Sequence, residues 1–150
     1  MVIQISKRAD GEGVLRCVRG DGSATWQKQG GRNAAFFALH DLTHSAVESV
    51  LGYRRGFFGL IAEGWDLEET DGKGARGALP EEAVEVERIV GLFDAERAGG
   101  TPMTAAEFGQ YGPRKLSEEE IAGVRAKRAE LFARWREVEA GGVMELTWGD

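Results

Sequence analysis

The chain has 150 residues, of which 42% are hydrophobic and 29% are charged, and its formal net charge at pH 7 is -6. This composition is that of an ordinary globular chain and excludes intrinsic disorder. The acidic balance argues against nucleic-acid binding, because proteins that bind nucleic acids carry a basic face. The length suits one domain, which we expect to span residues 1–150.

Cys17 is the only cysteine, which excludes a disulfide framework and a zinc site built from thiolates. Residues 1–8 lack the apolar segment of a signal peptide. The longest apolar run, residues 34–39, is much shorter than the ~20 residues that cross a bilayer. We therefore expect a cytoplasmic protein without a membrane partner.

Alternating apolar and polar residues predict strands at both ends of the chain. Residues 1–29 read as a β-meander, with strands near 2–6, 15–19 and 24–28. Asp21-Gly22 predicts the second hairpin turn, since this dipeptide tolerates positive φ. Residues 143–148 alternate again and are expected to rejoin the N-terminal sheet.

Helical patterns fill the region between, residues 33–140. Asn33 and Gly52 predict the two ends of a first helix, and a short apolar element follows at 57–63. A Gly-rich loop at 71–79 precedes a helix that Pro80 opens. Two capping boxes predict the last two helices, Thr104 with Glu107 and Ser117 with Glu120. The expected fold class is α+β, a small antiparallel sheet packed against four to five helices.

The two histidines of the chain, His40 and His44, lie one turn apart on the first predicted helix. Residues at i and i+4 share a helix face, roughly 5–6 Å apart at Cβ, so two imidazoles can converge on one metal ion. The His-Glu-x-x-His helix of zinc peptidases uses this spacing, although Asp41 stands here in place of the glutamate. A helical wheel places both imidazoles on the flank of the apolar stripe.

A catalytic zinc site needs three protein ligands and an open position. Glu48 continues the ridge but lies about 12 Å from His40 along the helix axis, too far for one ion to bridge. A turn at residues 52–56 folds the chain back, so we expect Glu63 or Asp66 to supply the third ligand. Asp41 or Glu48 would then orient a ligand imidazole or the attacking water.

Three interpretations remain open for the histidine pair. The specific one is a small hydrolase assisted by a divalent transition metal such as zinc, in which Glu63 follows His44 at a spacing similar to that of zinc-peptidase families. A second is metal-free acid–base chemistry by one imidazole. The third is a non-enzymatic binding or assembly module with structural histidines, in which the apolar stripe of the last helix could form a homodimer.

Three short blocks carry a resemblance to a known family: HDLTH at 40–44 with Glu48, GFFGL at 56–60 and EGWD at 63–66. Together they resemble a family of small uncharacterised bacterial proteins over about residues 33–67. The family has no assigned activity, so the resemblance implies no chemistry. It implies that the histidine helix and the segment after it act as one unit.

Overall fold

The computed structural model describes residues 1–149 and has the α+β architecture that the sequence predicts. Four strands, β1 (Val2–Lys7), β2 (Gly13–Val18), β3 (Ala24–Gln29) and β4 (Val143–Thr147), form one sheet. The strand order is β3-β2-β1-β4 and every neighbouring pair is antiparallel. The prediction that the C-terminal strand rejoins the meander is therefore confirmed.

One face of the sheet forms the floor of the core. In register across three strands, Ile3 lies opposite Cys17 and Leu146, and Ile5 lies opposite Leu15 and Met144. All six of these side chains are buried. The other face carries polar residues and an exposed Trp26, as expected for an antiparallel sheet covered on one side.

The described residues form five α-helices: α1 (Ala34–Leu51), α2 (Phe57–Glu63), α3 (Glu81–Gly99), α4 (Ala105–Tyr111) and α5 (Glu118–Glu137). Both predicted capping boxes are present, at the starts of α4 and α5. Gly52 ends α1 in the left-handed conformation with φ 75. Asn33 precedes α1 but makes no side-chain cap, because a short 3-10 turn at Gly31–Asn33 leads into the helix.

The central helix of the fold is α1, which packs against both α3 and α5. Every residue from 41 to 48 is buried as a result, including the polar ones. The helical wheel, with its single apolar stripe, predicts that the opposite side of α1 faces solvent. Over residues 41–48 the helix has no such side. Buried polar groups need partners: Asp41 has one on β3, and His44 and Glu48 have theirs on α3 and α2.

The last helix, α5, uses its apolar stripe inside the molecule. Ile121, Val124 and Leu131 are buried in the main core. Arg128, which interrupts the stripe, donates hydrogen bonds to the Phe93 carbonyl at 3.1 Å and to Glu96 at 3.1 Å. This basic residue therefore ties α5 to α3. None of the described helices has the length and apolar character needed to span a bilayer.

Candidate metal centre

Three potential metal ligands converge where α1 faces α3. His40 and His44 come from successive turns of α1, and Glu87 comes from α3. Their ligand atoms all lie within 4.8 Å of one another. The His44 side chain is only 1% exposed, whereas that of Glu87 is 47% exposed, so the cluster is buried on the α1 side and open to solvent on the α3 side.

Each imidazole is held by a carboxylate through its Nδ1 atom. His40 Nδ1 lies 2.6 Å from Asp94 Oδ2, and His44 Nδ1 lies 3.2 Å from Glu48 Oε2. The Nε2 atoms are therefore the nitrogens that remain for a ligand, and His44 Nε2 is paired with Glu87 Oε1 at 2.9 Å. A carboxylate on the far nitrogen fixes the tautomer and orientation of a metal-binding histidine.

The electrostatics of the cluster favour a charged His44. Burial opposes the imidazolium, but hydrogen bonds to Glu48 and Glu87 outweigh it and raise the pKa of His44 to about 10. For Glu87, partial burial is likewise outweighed by the hydrogen bond and charge of His44, which lower the pKa of this carboxyl. His44 and Glu87 therefore form an ion pair through His44 Nε2.

Glu48 connects the histidine helix to the start of α2. Its carboxylate is fully buried and accepts hydrogen bonds from the backbone N–H of Phe58 at 3.3 Å and of Gly59 at 3.1 Å. The start of α2 needs glycine at two positions, one facing Glu48 and one facing the Arg54 backbone. A Cβ on Gly56 would lie 2.6 Å from the Glu48 carboxyl carbon, and one on Gly59 would lie 2.0 Å from the carbonyl oxygen of Arg54.

An aromatic ring packs against each of the two histidines. Phe36 stacks on His40 with a centroid distance of 5.2 Å, and Phe57 lies 5.1 Å from His44. Phe57 and Glu87 also line a hollow of about 10 Å³ between α2 and α3, which is about the size of one water molecule. The cluster thus has apolar walls on two sides and a water-sized space beside its carboxylate.

The structure does not bring Glu63 or Asp66 into this group. Glu63 forms two hydrogen bonds of 2.9 Å with Arg55, and Asp66 pairs with Arg19 at 3.2 Å. The two carboxylates proposed for orientation also differ from each other. Glu48 holds His44, whereas Asp41 accepts a 2.7 Å hydrogen bond from Gln29.

Asp41 is a buried carboxyl on the sheet-facing side of α1. Burial raises its pKa to about 6, in spite of the hydrogen bond from Gln29 and the nearby imidazoles. Its partner Gln29 ends β3, so the pair ties α1 to the sheet. The Asp41 carboxyl is not among the atoms that converge in the cluster.

Sequence reasoning missed Glu87 and Asp94, which both lie on α3. They occupy positions seven residues apart, so they share a helix face two turns apart. Asp94 contacts His40 and Glu87 contacts His44. Only the packing of α3 on α1 shows that these two helix faces meet. Acidic residues at such spacing are common on solvated helices, so the spacing alone carries little signal.

Comparisons with protein-family models, with curated proteins and with solved structures found no match to this chain. The resemblance of residues 33–67 to a small bacterial family stays a prediction. The contact of Glu48 with Phe58 and Gly59 shows that the two halves of this region pack together. Functional inference therefore depends on the geometry of the His40–His44–Glu87 cluster.

Proposed function

We propose that the protein is a small metal-assisted hydrolase, in which His40, His44 and Glu87 bind a divalent transition metal such as zinc. Two imidazoles and one carboxylate form a ligand set that catalytic zinc sites use, with a fourth position left for water or substrate. The observation that carries the proposal is the carboxylate on each Nδ1. It leaves both Nε2 atoms for the metal, and that of His44 already contacts Glu87.

The separations in the cluster support this assignment. Ligands about 2.1 Å from a tetrahedral zinc ion lie roughly 3.4 Å from one another. The three ligand atoms are within 4.8 Å of one another, and His44 Nε2 is 2.9 Å from Glu87 Oε1. Small side-chain movements would therefore suffice, and the half-exposed Glu87 is free to make the largest one.

The chain's residues divide into ligands and positioning residues. Glu48 and Asp94 orient the two imidazoles and increase their basicity through the Nδ1 hydrogen bonds. Phe57 covers the His44 ring and limits water on that side, whereas Phe36 stacks on His40 at the surface. A bound metal would lower the pKa of a coordinated water and polarise the substrate carbonyl or phosphoryl oxygen. The solvent-facing side at Glu87 is where such a substrate would enter.

The test is zinc titration of protein stripped of metal, followed by an assay of hydrolysis of 4-nitrophenyl acetate and bis(4-nitrophenyl) phosphate. The wild type should bind one zinc ion and hydrolyse one of these esters faster than free zinc does. Glu87→Gln keeps the side-chain size but removes the charged ligand, so zinc affinity and hydrolysis should both fall, by about tenfold or more. Glu81→Gln, on the exposed first turn of α3, is the matched control and should change neither.

The two halves of the proposal fail separately. Zinc binding without hydrolysis of either ester would refute the hydrolase and leave a metal site. Equal zinc affinity in the wild type and Glu87→Gln would refute the ligand assignment itself.

A second candidate is a binding module in which the histidines are structural. It is favoured by the complete pairing of His44, which contacts Glu48 through one nitrogen and Glu87 through the other. In that case added zinc would leave the unfolding temperature of the protein unchanged. A metal that binds only the folded state must raise that temperature, so thermal unfolding with and without zinc separates the two candidates.

A further inference from the structure

A second candidate site lies away from the histidine cluster, in a cavity of about 470 Å³. It is bounded by the C-terminal half of α1, the turn that follows, α5 and the end of β4. Its size is within the range of small-molecule sites, roughly 300–1,000 Å³. None of the three proposed metal ligands lines it, although Glu48 forms part of its wall.

Three cationic side chains line this cavity, although the chain as a whole is acidic. They are Arg54 from the turn after α1 and Lys127 and Arg134 from α5. The Arg134 side chain donates to the backbone carbonyl of Glu145 at 2.9 Å, and Lys127 Nζ is 3.4 Å from Glu130. Arg54 makes no ion pair with any residue from 1 to 149. Lys127 is therefore paired with Glu130, whereas neither arginine has a carboxylate within ion-pair distance among residues 1–149.

The two carboxylates of the lining are already engaged. Glu48 accepts from Phe58 and Gly59 and holds His44. Glu145 accepts a 3.0 Å hydrogen bond from Gln4. Glu48 is paired with His44, and Glu145 lies on the exposed side of β4, between the buried Met144 and Leu146. The cations therefore outnumber the unpaired carboxylates that face the cavity, and charges of one sign lining a concave surface attract a ligand of the other sign.

An unpartnered hydroxyl also faces the cavity. Ser45 is 8% exposed and lines the wall, and its Oγ has no hydrogen-bond partner among the described residues. The neighbouring Ser49 hydroxyl, by contrast, donates to the Ser45 carbonyl at 2.7 Å. The Ser45 hydroxyl is therefore free to donate a hydrogen bond to a ligand in the cavity.

The remaining wall is apolar. Leu131, Leu146 and Trp148 line it, and the two leucines are buried. A ligand that fills the cavity must therefore place an apolar part against Trp148 and a charged part near the cations. Sites for small organic molecules combine apolar walls with a few polar groups in this way.

We infer that this cavity binds a small organic anion, a compound with one phosphate or carboxylate group and an apolar portion. The oxyanion would lie between Lys127 and Arg134, with Ser45 donating a hydrogen bond, and the apolar portion would contact Trp148. This site does not depend on a metal, so it stands apart from the proposed hydrolase.

The test uses full-length protein stripped of metal with EDTA and NMR titration with phenyl phosphate, benzoate and neutral benzyl alcohol. Phenyl phosphate or benzoate should produce saturable shifts of the Trp148 indole and of the Ser45 and Thr147 amides. Saturation by phenyl phosphate alone identifies a phosphate site, and saturation by both identifies a general oxyanion site. The double variant Lys127→Gln with Arg134→Gln should weaken binding about tenfold or more, since charge-assisted hydrogen bonds dominate such sites.

Arg136→Gln is the matched control, because Arg136 lies on the same helix but does not line the cavity. It should bind as the wild type does. Ser45→Ala is a second variant with little risk to folding and should weaken binding severalfold. The inference is overturned if neither anion saturates, if benzyl alcohol binds equally well, or if Arg136→Gln loses as much affinity as the double variant.

Discussion

Replacement of Glu48 by alanine tests the contact that joins the histidine helix to α2. The carboxylate is fully buried and serves three donors: His44 Nδ1, Phe58 N–H and Gly59 N–H. Glu48→Ala leaves all three without this acceptor. The variant also opens a cavity where the side chain was.

The magnitude follows from those three donors. A buried donor left without an acceptor costs about 1–3 kcal/mol, and three donors lose their acceptor here, while His44 keeps Glu87 as its counter-charge. We therefore expect Glu48→Ala to lower the free energy of unfolding by about 5 kcal/mol. That is a large part of the 5–15 kcal/mol typical of a domain.

Urea denaturation followed by circular dichroism measures this change. With an m-value of about 2 kcal/mol/M, the unfolding midpoint should fall by roughly 2.5 M. Glu119→Ala is the control, because Glu119 is exposed on the first turn of α5, and it should change stability by less than about 0.5 kcal/mol. A loss below about 1 kcal/mol for Glu48→Ala would refute the reasoning, since it would mean that water or another group replaces the carboxylate.

Three further variants or measurements test other parts of the structure. Gly59→Ala places a Cβ 2.0 Å from the Arg54 carbonyl oxygen and should cost about 2 kcal/mol. Gly91 of α3 has open space where a Cβ would lie, so Gly91→Ala should raise the free energy of unfolding, measured by urea denaturation, by about 0.5–1 kcal/mol. If the two substitutions changed stability by similar amounts, the close contact at Gly59 would be contradicted. Burial raises the pKa of Asp41 from 3.8 to about 6, so the folded chain binds a proton that the unfolded chain releases between those pH values. Wild-type stability should therefore fall relative to Asp41→Asn as pH rises from 4 to 7, by up to about 3 kcal/mol, and a difference that is constant with pH would be evidence against it. Burial also raises the pKa of the Cys17 thiol to about 12, so iodoacetamide should leave Cys17 unmodified in native protein and alkylate it in urea. Mass spectrometry measures the alkylation. Rapid alkylation of the folded protein would contradict this burial.

Local sequence signals predicted most of the elements because those signals act over a few residues. The capping boxes at Thr104 and Ser117 begin α4 and α5, and Gly52 ends α1. The alternation of apolar and polar residues predicted all four strands. The C-terminal strand pairs with the N-terminal strands in a single sheet. Each of these features depends on local geometry, which a single sequence specifies.

Local signals predicted the two histidines of the candidate site but not its third residue, Glu87. His40 and His44 share a face because both are on α1, and this follows from helix periodicity. Glu87 reaches them only because α3 packs along α1, and helix–helix packing depends on the whole core. Glu63, close to the histidines in sequence, was the natural candidate for the third ligand, but it is paired with Arg55 at the surface.

The burial of His44 illustrates the same limit. The wheel placed this residue on the flank of the apolar stripe, facing a boundary. In the structure α3 covers that flank, and Phe57 of α2 covers the ring, so His44 is 1% exposed. A helix packed on several sides has no solvent boundary, and periodicity in one helix does not reveal that.

The most direct test of the metal centre is X-ray diffraction at the zinc absorption edge from crystals grown with zinc. The account predicts one anomalous peak about 2.0–2.2 Å from His40 Nε2, His44 Nε2 and a carboxylate oxygen of Glu87. The Nδ1 atoms should remain bonded to Asp94 and Glu48. A structure in which zinc is absent from this cluster, and Glu87 keeps its hydrogen bond to His44, would contradict the assignment.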